Sequence, residues 1–203
     1  MPILNNLSFE PALNQVYGRM GFKPWKSDIP ESMLPLVDQA IELGRSLVRP
    51  QACWEMQSIV EITPDGLKTG AGLAISSRKV VDWMKGCHQL YLTAVTLGDA
   101  LDKTVSELTL NNQMTLGFLL NAYGAEAAEA LMESLDQHLR AKAQTEDFQT
   151  TKRYSPGYGD WDISAQKELL SLIHADQIGI TLTESYLMIP EKSVSAIIGV
   201  RRG

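Results

Sequence analysis

The sequence predicts an α+β protein in which distant parts of the chain build one sheet. Two stretches with helical periodicity, residues 8–48 and 99–143, are each followed by β-prone sequence. The first β-prone stretch is divided by Thr63-Pro64-Asp65-Gly66, a strong turn signal because proline fixes φ and glycine accepts positive φ. Helices followed by strands, twice over, are typical of an α+β arrangement.

Composition limits the class of protein. The 203 residues suffice for one domain with its own core, so we expect a single domain over 1–203, with a helical part at 1–50 and the sheet within 51–203. Acidic residues number 24 against 18 basic ones, and the net charge of −6 argues against a nucleic-acid-binding protein. No apolar run predicts a membrane span, and Met1 to Phe9 lack the basic and apolar regions expected of a signal peptide. Cys53 and Cys87 lack metal-ligand spacing and suit a reducing cytoplasm.

The N-terminal part is predicted to hold two helices. Residues 8–19 have the spacing of a short amphipathic helix, which the stretch from Gly21 to Trp25 interrupts. A second helix is expected from residues 30–32 to about Val48. Pro50 ends it, because the residue before a proline avoids the helical region.

Strands follow this helical part. Cys53 to Ile62 and Leu67 to Ile75 are expected to pair across the turn. Ser76 or Ser77 is placed to cap a short helix with its hydroxyl. Gln89 to Leu97 is predicted to be a central strand, since nearly all its residues favour β structure.

Two helices come next. The first is expected from Asp99 to about Leu110, and a longer one from roughly Gln113 to Ala143, where apolar residues recur at three- and four-residue steps. Gly117 and Gly124 interrupt the long helix at a cost of about 1 kcal/mol each relative to alanine. A glycine at such a position often has a packing reason or a ligand reason.

The last quarter of the chain is predicted to return to the sheet. Residues 144–162 have the composition of a loop, and Asp162 or Ser164 is placed to cap a short helix. Two strands are then expected at 177–183 and 193–200.

The loop from Gln149 to Asp162 is the strongest candidate for a ligand site. Arg153 is suited to holding a carboxylate through two hydrogen bonds. Tyr154, Tyr158 and Trp161 are suited to stacking on a planar ring or lying over a sulfonium cation. In the alternative interpretation, which composition alone favours, these aromatic side chains pin the loop to the body of the protein.

Two carboxylates are further candidates. Glu129 lies on the polar face of the long helix, where a carboxylate is suited to binding an α-amino group; a solvated helix face is the simpler interpretation. Glu184, beside Thr183 and Ser185, is suited to contacting a ligand or partner, or to capping a turn.

Three segments together resemble the activation (reactivation) domain of cobalamin-dependent methionine synthase. The run from Arg153 to Tyr158 resembles that family's Arg-x-x-x-Gly-Tyr motif. The run from Gly179 to Pro190 resembles its Gly-x-x-Leu-Thr-Glu-Ser-aromatic-x-Met-x-Pro stretch. Upstream, Ala128-Glu129-Ala130 resembles its Ala-Glu-Ala on the long helix, and the chain looks like a free-standing member. After Tyr158 it departs from the family: Gly159-Asp160-Trp161-Asp162 stands where the family has a Pro-Ala-Cys-Pro type of stretch.

The resemblance implies a fold and a set of binding residues. The fold would be a curved single domain with a twisted antiparallel sheet flanked by helices. S-adenosylmethionine would lie in a shallow groove, with Arg153 on its carboxylate, Glu129 near its amino group and the backbone around Ser155 contributing. Tyr158 would point toward the corrin of a docked cobalamin module. The set of cofactor-binding residues that we expect is completed by Gly157 and Glu184.

The resemblance also implies partners and a reaction. Cobalamin would come only through a partner, a cobalamin-binding methionine synthase or corrinoid protein, because the chain has no Asp-x-His-x-x-Gly motif. Flavodoxin or another donor would reduce Co(II), and methyl transfer from S-adenosylmethionine would trap the product. No catalytic residue and no metal ligand is expected in this chain, since the nucleophile is the cobalt. The alternative is a non-catalytic docking module for a corrinoid protein that has lost the use of S-adenosylmethionine.

Overall fold

The computed structural model describes residues 1–5, 7–23 and 28–203. Its helices are α1 (Leu13–Arg19), α2 (Leu34–Leu47), α3 (Arg78–Trp83), α4 (Ala100–Leu110), α5 (Met114–Gln144) and α6 (Ala165–Leu172), with a 3₁₀ turn at Ala175–Ile178. Its strands are β1 (Ile3–Leu4), β2 (Gln51–Thr63), β3 (Gly66–Thr69), β4 (Ala74–Ser76), β5 (Gln89–Thr96), β6 (Phe148–Thr150), β7 (Thr181–Leu182), β8 (Met188–Ile189) and β9 (Ser193–Arg202).

The main sheet is antiparallel throughout, which confirms the predicted α+β class. Its order is β4-β3-β2-β5-β9-β6, with β1 added to β2, and β7 pairs with β8 in a separate two-stranded sheet. β2, β5 and β9 form the centre, so segments about a hundred residues apart along the chain lie side by side. β5 is buried from Leu90 onward because its two neighbours cover its edges and its two faces are covered by helices.

One hydrophobic core lies between the sheet and the long helix α5. Alternate residues of the central strands point into it, among them Trp54, Tyr91 and Ile198. Helices α2 and α4 also pack on α5. A Cβ at Gly124 would lie 2.8–2.9 Å from the two terminal carbons of Leu101, so this glycine lets α4 and α5 approach closely.

A second core covers the opposite face of the sheet. It is built from the other set of alternate strand residues, including Leu92 and Ile197, and from α3, α6 and the 3₁₀ turn. Ser77 begins α3 as expected: its hydroxyl accepts a hydrogen bond from the Val80 amide at 3.0 Å. Trp161, from the loop between β6 and α6, is buried in this core with 3% exposure.

Several predicted boundaries differ from the structure. The expected strand from Leu67 to Ile75 is two strands, because Gly72 at φ +99° breaks it. The strand expected at 177–183 is wrong over its first half, where a 3₁₀ turn buries Ile178 and ends at Gly179 with φ +79°. The loop expected at 144–162 contains β6.

The first helix is also shorter than predicted. Residues 8–12 precede it, and α1 begins at Leu13. The helix ends at Arg19; of the interruption expected from Gly21 to Trp25, Pro24 and Trp25 lie outside the described residues.

Two glycine-to-alanine substitutions test the packing on α5. A Cβ at Gly44 of α2 would overlap the ring of Tyr123, which is 2% exposed and has no room to retreat. We expect Gly44→Ala to lower the free energy of unfolding by about 1–3 kcal/mol through overpacking. A Cβ at Gly117 would make only ordinary contacts at 3.4–3.5 Å. Because alanine favours the helix over glycine, Gly117→Ala is expected to raise the free energy of unfolding by up to about 1 kcal/mol. Urea unfolding measures both, and equal signs would contradict the packing argument.

Candidate ligand groove

A groove of about 760 Å³ lies beside the loop that follows β6. A volume of this size suits a small organic ligand, whose sites span about 300–1,000 Å³. The walls come from α3, α5, α6, the β7–β8 pair, the first residues of β9, and residues 152–162, which we call the motif loop. The groove thus opens at an edge of the sheet, where the helices of both faces meet.

The motif loop is held on the free edge of β9. The Thr151 amide donates to the Gly199 carbonyl at 2.9 Å. Tyr154 and Ile197 exchange two backbone hydrogen bonds of 2.9 and 2.8 Å. After Tyr154 the loop turns away from the strand, and the first residues of β9, including Ser193 and Ser195, line the groove instead. The groove therefore begins where the loop leaves the sheet.

An ion pair forms part of the groove wall. The Arg153 guanidinium lies 2.8 Å from the Glu129 carboxylate, and the two side chains are 27% and 41% exposed. Arg153 comes from the motif loop and Glu129 from the middle of α5, so the pair links the two layers. Such a half-exposed pair contributes about 0–1 kcal/mol, so a ligand can separate it at little cost. A second cavity of about 660 Å³, between residues 8–15 and α5, shares both side chains.

The aromatic residues of the motif loop have different surroundings. Tyr154 lies between Trp83, with ring centroids 5.5 Å apart, and Trp161, at 6.3 Å. The Trp83 indole N–H donates to the Lys152 carbonyl at 2.7 Å. Tyr158, in contrast, is 66% exposed and lines the groove. Tyr154 and Trp161 therefore pin the loop to the body of the protein, whereas Tyr158 is free to meet a ligand or a partner.

Residues 79–202 match the family described as "Vitamin B12 dependent methionine synthase, activation domain". The chain belongs to this family. Among solved structures, a match in fold is "Crystal Structure of the MetH Reactivation Domain bound to AdoHcy", with a TM-score of 0.67 and 15% identity over 98% of this chain and 78% of that chain. No curated protein matches the sequence.

The family's fold brings most of the expected binding residues together. Arg153, Glu129, Ser155 and Tyr158 all line the groove. Gly157 does not line the groove: it is exposed at φ +88°, and its amide donates to the Trp161 carbonyl at 2.8 Å, so it shapes the turn of the loop.

Glu184 stands apart from these four residues. It is exposed in the connection between β7 and β8, and its neighbour Thr183 lines the groove in its place. The Thr183 hydroxyl instead stabilises the turn by accepting from the Leu187 amide at 3.0 Å.

Sequence reasoning missed two residues of this activation-domain groove. Trp83 lines it from the end of α3, and Gln166 from α6. Gln166 is 5% exposed; it accepts from the Ser195 hydroxyl at 2.8 Å and donates to the Tyr186 carbonyl at 2.7 Å. A polar residue in an amphipathic helix carries no signal of such a role.

Neither a cluster of metal ligands nor a membrane-spanning helix is found in the described part of the chain. Within residues 1–5, 7–23 and 28–203, no three His, Cys, Asp or Glu side chains come together as a metal site. None of the helices that the structure describes has the length and apolar character needed to cross a membrane.

The hydrogen bonds of Gln166 to Ser195 and Tyr186 at the groove can be tested by substitution. Gln166→Ala removes the partner of the Ser195 hydroxyl and of the Tyr186 carbonyl at once, and an unpaired buried polar group costs about 1–3 kcal/mol. We expect urea unfolding to show a loss of that size. Gln137, exposed on α5, is the control, and its change to alanine is expected to stay within about 0.5 kcal/mol. Similar losses for both variants would remove the assigned role.

Proposed function

We propose that this member of the activation-domain family binds S-adenosylmethionine in the groove. It would support reductive methylation of cob(II)alamin held by a separate methionine synthase or corrinoid methyltransferase. The observation that carries the proposal is the Arg153–Glu129 pair in the wall of a groove of suitable volume. The reactivation domain of similar fold was crystallised with the demethylated form of this ligand, AdoHcy.

The ion pair suits the amino-acid end of S-adenosylmethionine. The ligand carboxylate would bind Arg153, and the ligand ammonium would bind Glu129. Arg153 would thus exchange one carboxylate partner for another, and Glu129 one cationic partner for another. Arg153 offers two parallel N–H donors to a carboxylate, which favours it over a simple point charge. Ser155, two residues later along the same loop, also lines the groove, so its backbone and hydroxyl would be available to this end of the ligand.

The remaining walls suit the sulfonium and the adenosine. They are mainly apolar and aromatic, with Trp83, Met188 and Ile189 among them. Aromatic faces attract cations, and thioether sulfur packs adaptably against planar rings. The chain's task would be to hold the sulfonium methyl in place for attack, which is catalysis by proximity and needs no protein base.

Tyr158 marks the side from which a corrinoid partner would approach. Its ring, with the exposed side chains of Leu187 and Ile189, forms an apolar rim around the groove mouth. Cobalamin carried by the partner would supply the nucleophile, and flavodoxin or another donor would supply the electron. These proteins would meet the chain in the cytoplasm, in keeping with its cysteine content.

The apolar rim also favours a second candidate function. A docking module for a corrinoid protein would use the same rim without using S-adenosylmethionine. The two candidates differ in whether the ion pair accepts the ligand, and this is measurable.

Calorimetric titration with S-adenosylmethionine tests the proposal. We expect Arg153→Ala to weaken binding about 10- to 100-fold, since a hydrogen-bonded charge contributes about 1.5–3 kcal/mol. Lys68→Ala is the matched control, because Lys68 forms an exposed pair with Glu61 between β3 and β2, and neither residue lines the groove. The affinity of this control variant for S-adenosylmethionine is expected to equal that of the unmodified protein.

A ligand analogue sharpens the test. Decarboxylated S-adenosylmethionine lacks the group assigned to Arg153, so the unmodified protein is expected to bind it more weakly than the parent compound. Arg153→Ala is expected to bind the two compounds alike. Absence of binding at millimolar S-adenosylmethionine would leave only the docking function, and binding indifferent to Arg153→Ala would refute the site assignment.

A further inference from the structure

The motif loop is fastened to helix α3 at both of its ends. At its start, the Lys152 carbonyl accepts from the Trp83 indole at the end of α3. At its far end, the Asp160 carboxylate accepts from the Arg78 amide at 3.0 Å and from the Lys79 amide at 3.4 Å, at the beginning of α3. The loop therefore arches over a short helix, and all its groove-lining residues lie between the two attachments.

The attachment at Asp160 uses the exposed amides of a helix beginning. The first amides of any helix have no partner within it and are satisfied by a capping acceptor. Here the cap is shared: the Ser77 hydroxyl donates to Asp160, while its oxygen accepts from the Val80 amide. The hydrogen bond from Ser77, followed by those from the Lys79 and Arg78 amides, holds the pKa of Asp160 below its usual range. The carboxylate is therefore ionised at neutral pH, when it accepts hydrogen bonds best.

The residues next to Asp160 bring the loop down onto the helix. Gly159 has φ +62°, and a Cβ there would collide with the Tyr154 hydroxyl and lie 2.6 Å from the Lys79 side chain. Trp161, on the other side, is buried in the second core. The part of the loop that resembles the family's motif ends at Tyr158, so this fastening belongs to the part of the chain that departs from it.

We propose that Asp160 is a positioning residue for the ligand groove. Asp160 caps α3 from a point about eighty residues further along the chain. It thereby fixes the positions of Ser155 and Tyr158 at the groove and keeps the Arg153 guanidinium close to the Glu129 carboxylate. Its effect on ligand affinity rests on the proposed binding of S-adenosylmethionine, whereas its effect on the loop does not.

Hydrogen exchange tests the effect on the loop without any ligand. The Gly157 amide donates to the Trp161 carbonyl and the Trp161 amide to the Tyr158 carbonyl, so both report on the closed loop. We expect Asp160→Ala to speed their exchange about fivefold or more, while amides of β9 stay unchanged. Asp160→Asn keeps an oxygen acceptor and is expected to restore slow exchange. Unchanged exchange at Gly157 and Trp161 in the alanine variant would overturn the proposal.

Affinity for S-adenosylmethionine tests the effect on the groove. We expect Asp160→Ala to weaken binding about tenfold, since the ligand must then order the loop itself, and Asp160→Asn to bind within about twofold of the unmodified protein. Asp162→Ala is the matched control: this carboxylate lies two residues away but accepts hydrogen bonds from nearby Ser164 rather than from α3, so affinity is expected to be unchanged. In a double-mutant cycle, the variant with both Ser77→Ala and Asp160→Ala is expected to bind S-adenosylmethionine as tightly as the Asp160→Ala variant, because the two side chains act through one shared cap.

The outcomes separate this proposal from the proposed function. If the unmodified protein does not bind the ligand, the proposed function fails, and hydrogen exchange alone decides the role of Asp160. If the unmodified protein binds and the folded Asp160→Ala variant binds equally well, the positioning role is refuted. A fall in melting temperature without a change in affinity would show a purely structural role and would also refute it.

Discussion

The backbone hydrogen bonding of β9 on both of its edges is the interaction on which the rest of the structure depends. One edge pairs with β5 along eight residues, which places β9 next to the central strand and between the two cores. The other edge holds β6 and then Tyr154, so the same strand that completes the sheet also anchors the motif loop. Because buried backbone groups need partners, the loop has little freedom until it leaves β9 after Tyr154. The groove occupies the space that the departing loop leaves open.

The sequence was informative wherever periodicity and turn chemistry decide structure. The leucine spacing of α5, the β propensity of the residues in β5 and the capping hydroxyl of Ser77 all express local physics, and each was predictable. The 3₁₀ turn at Ala175–Ile178 was not, because a short apolar run has the same composition in a strand and in a buried turn. The packing role of Gly124 was equally hidden, since it depends on Leu101 from the neighbouring helix.

In the candidate site, too, some features could be predicted from the sequence and others could not. Arg153 and Tyr158 could be named because their residue types stand out in a loop, and because a second motif follows at a suitable distance. Their geometry could not be predicted, since it depends on contacts that exist only in the folded chain. Trp83 donates to the Lys152 carbonyl, and Asp160 of the loop accepts from the beginning of α3. The two interpretations of the loop also turned out to be compatible. Tyr154 and Trp161 are packed as a pinned loop requires, and this packing leaves Tyr158 at the surface.

For the proposed binding of S-adenosylmethionine, the arrangement of charge in the groove would provide selectivity. An isolated arginine would attract any anion, but an arginine already paired with Glu129 exchanges that partner at least cost for a ligand bearing both a carboxylate and an ammonium. A plain carboxylate would free Arg153 from Glu129 and leave Glu129 without a cation, and a plain amine would do the reverse. On this proposal the pair would discriminate by balance of charge rather than by strength of attraction. Such discrimination would require Arg153 to stay within hydrogen-bonding distance of Glu129, so the attachment of the loop to α3 would matter to selectivity as much as the charged groups themselves.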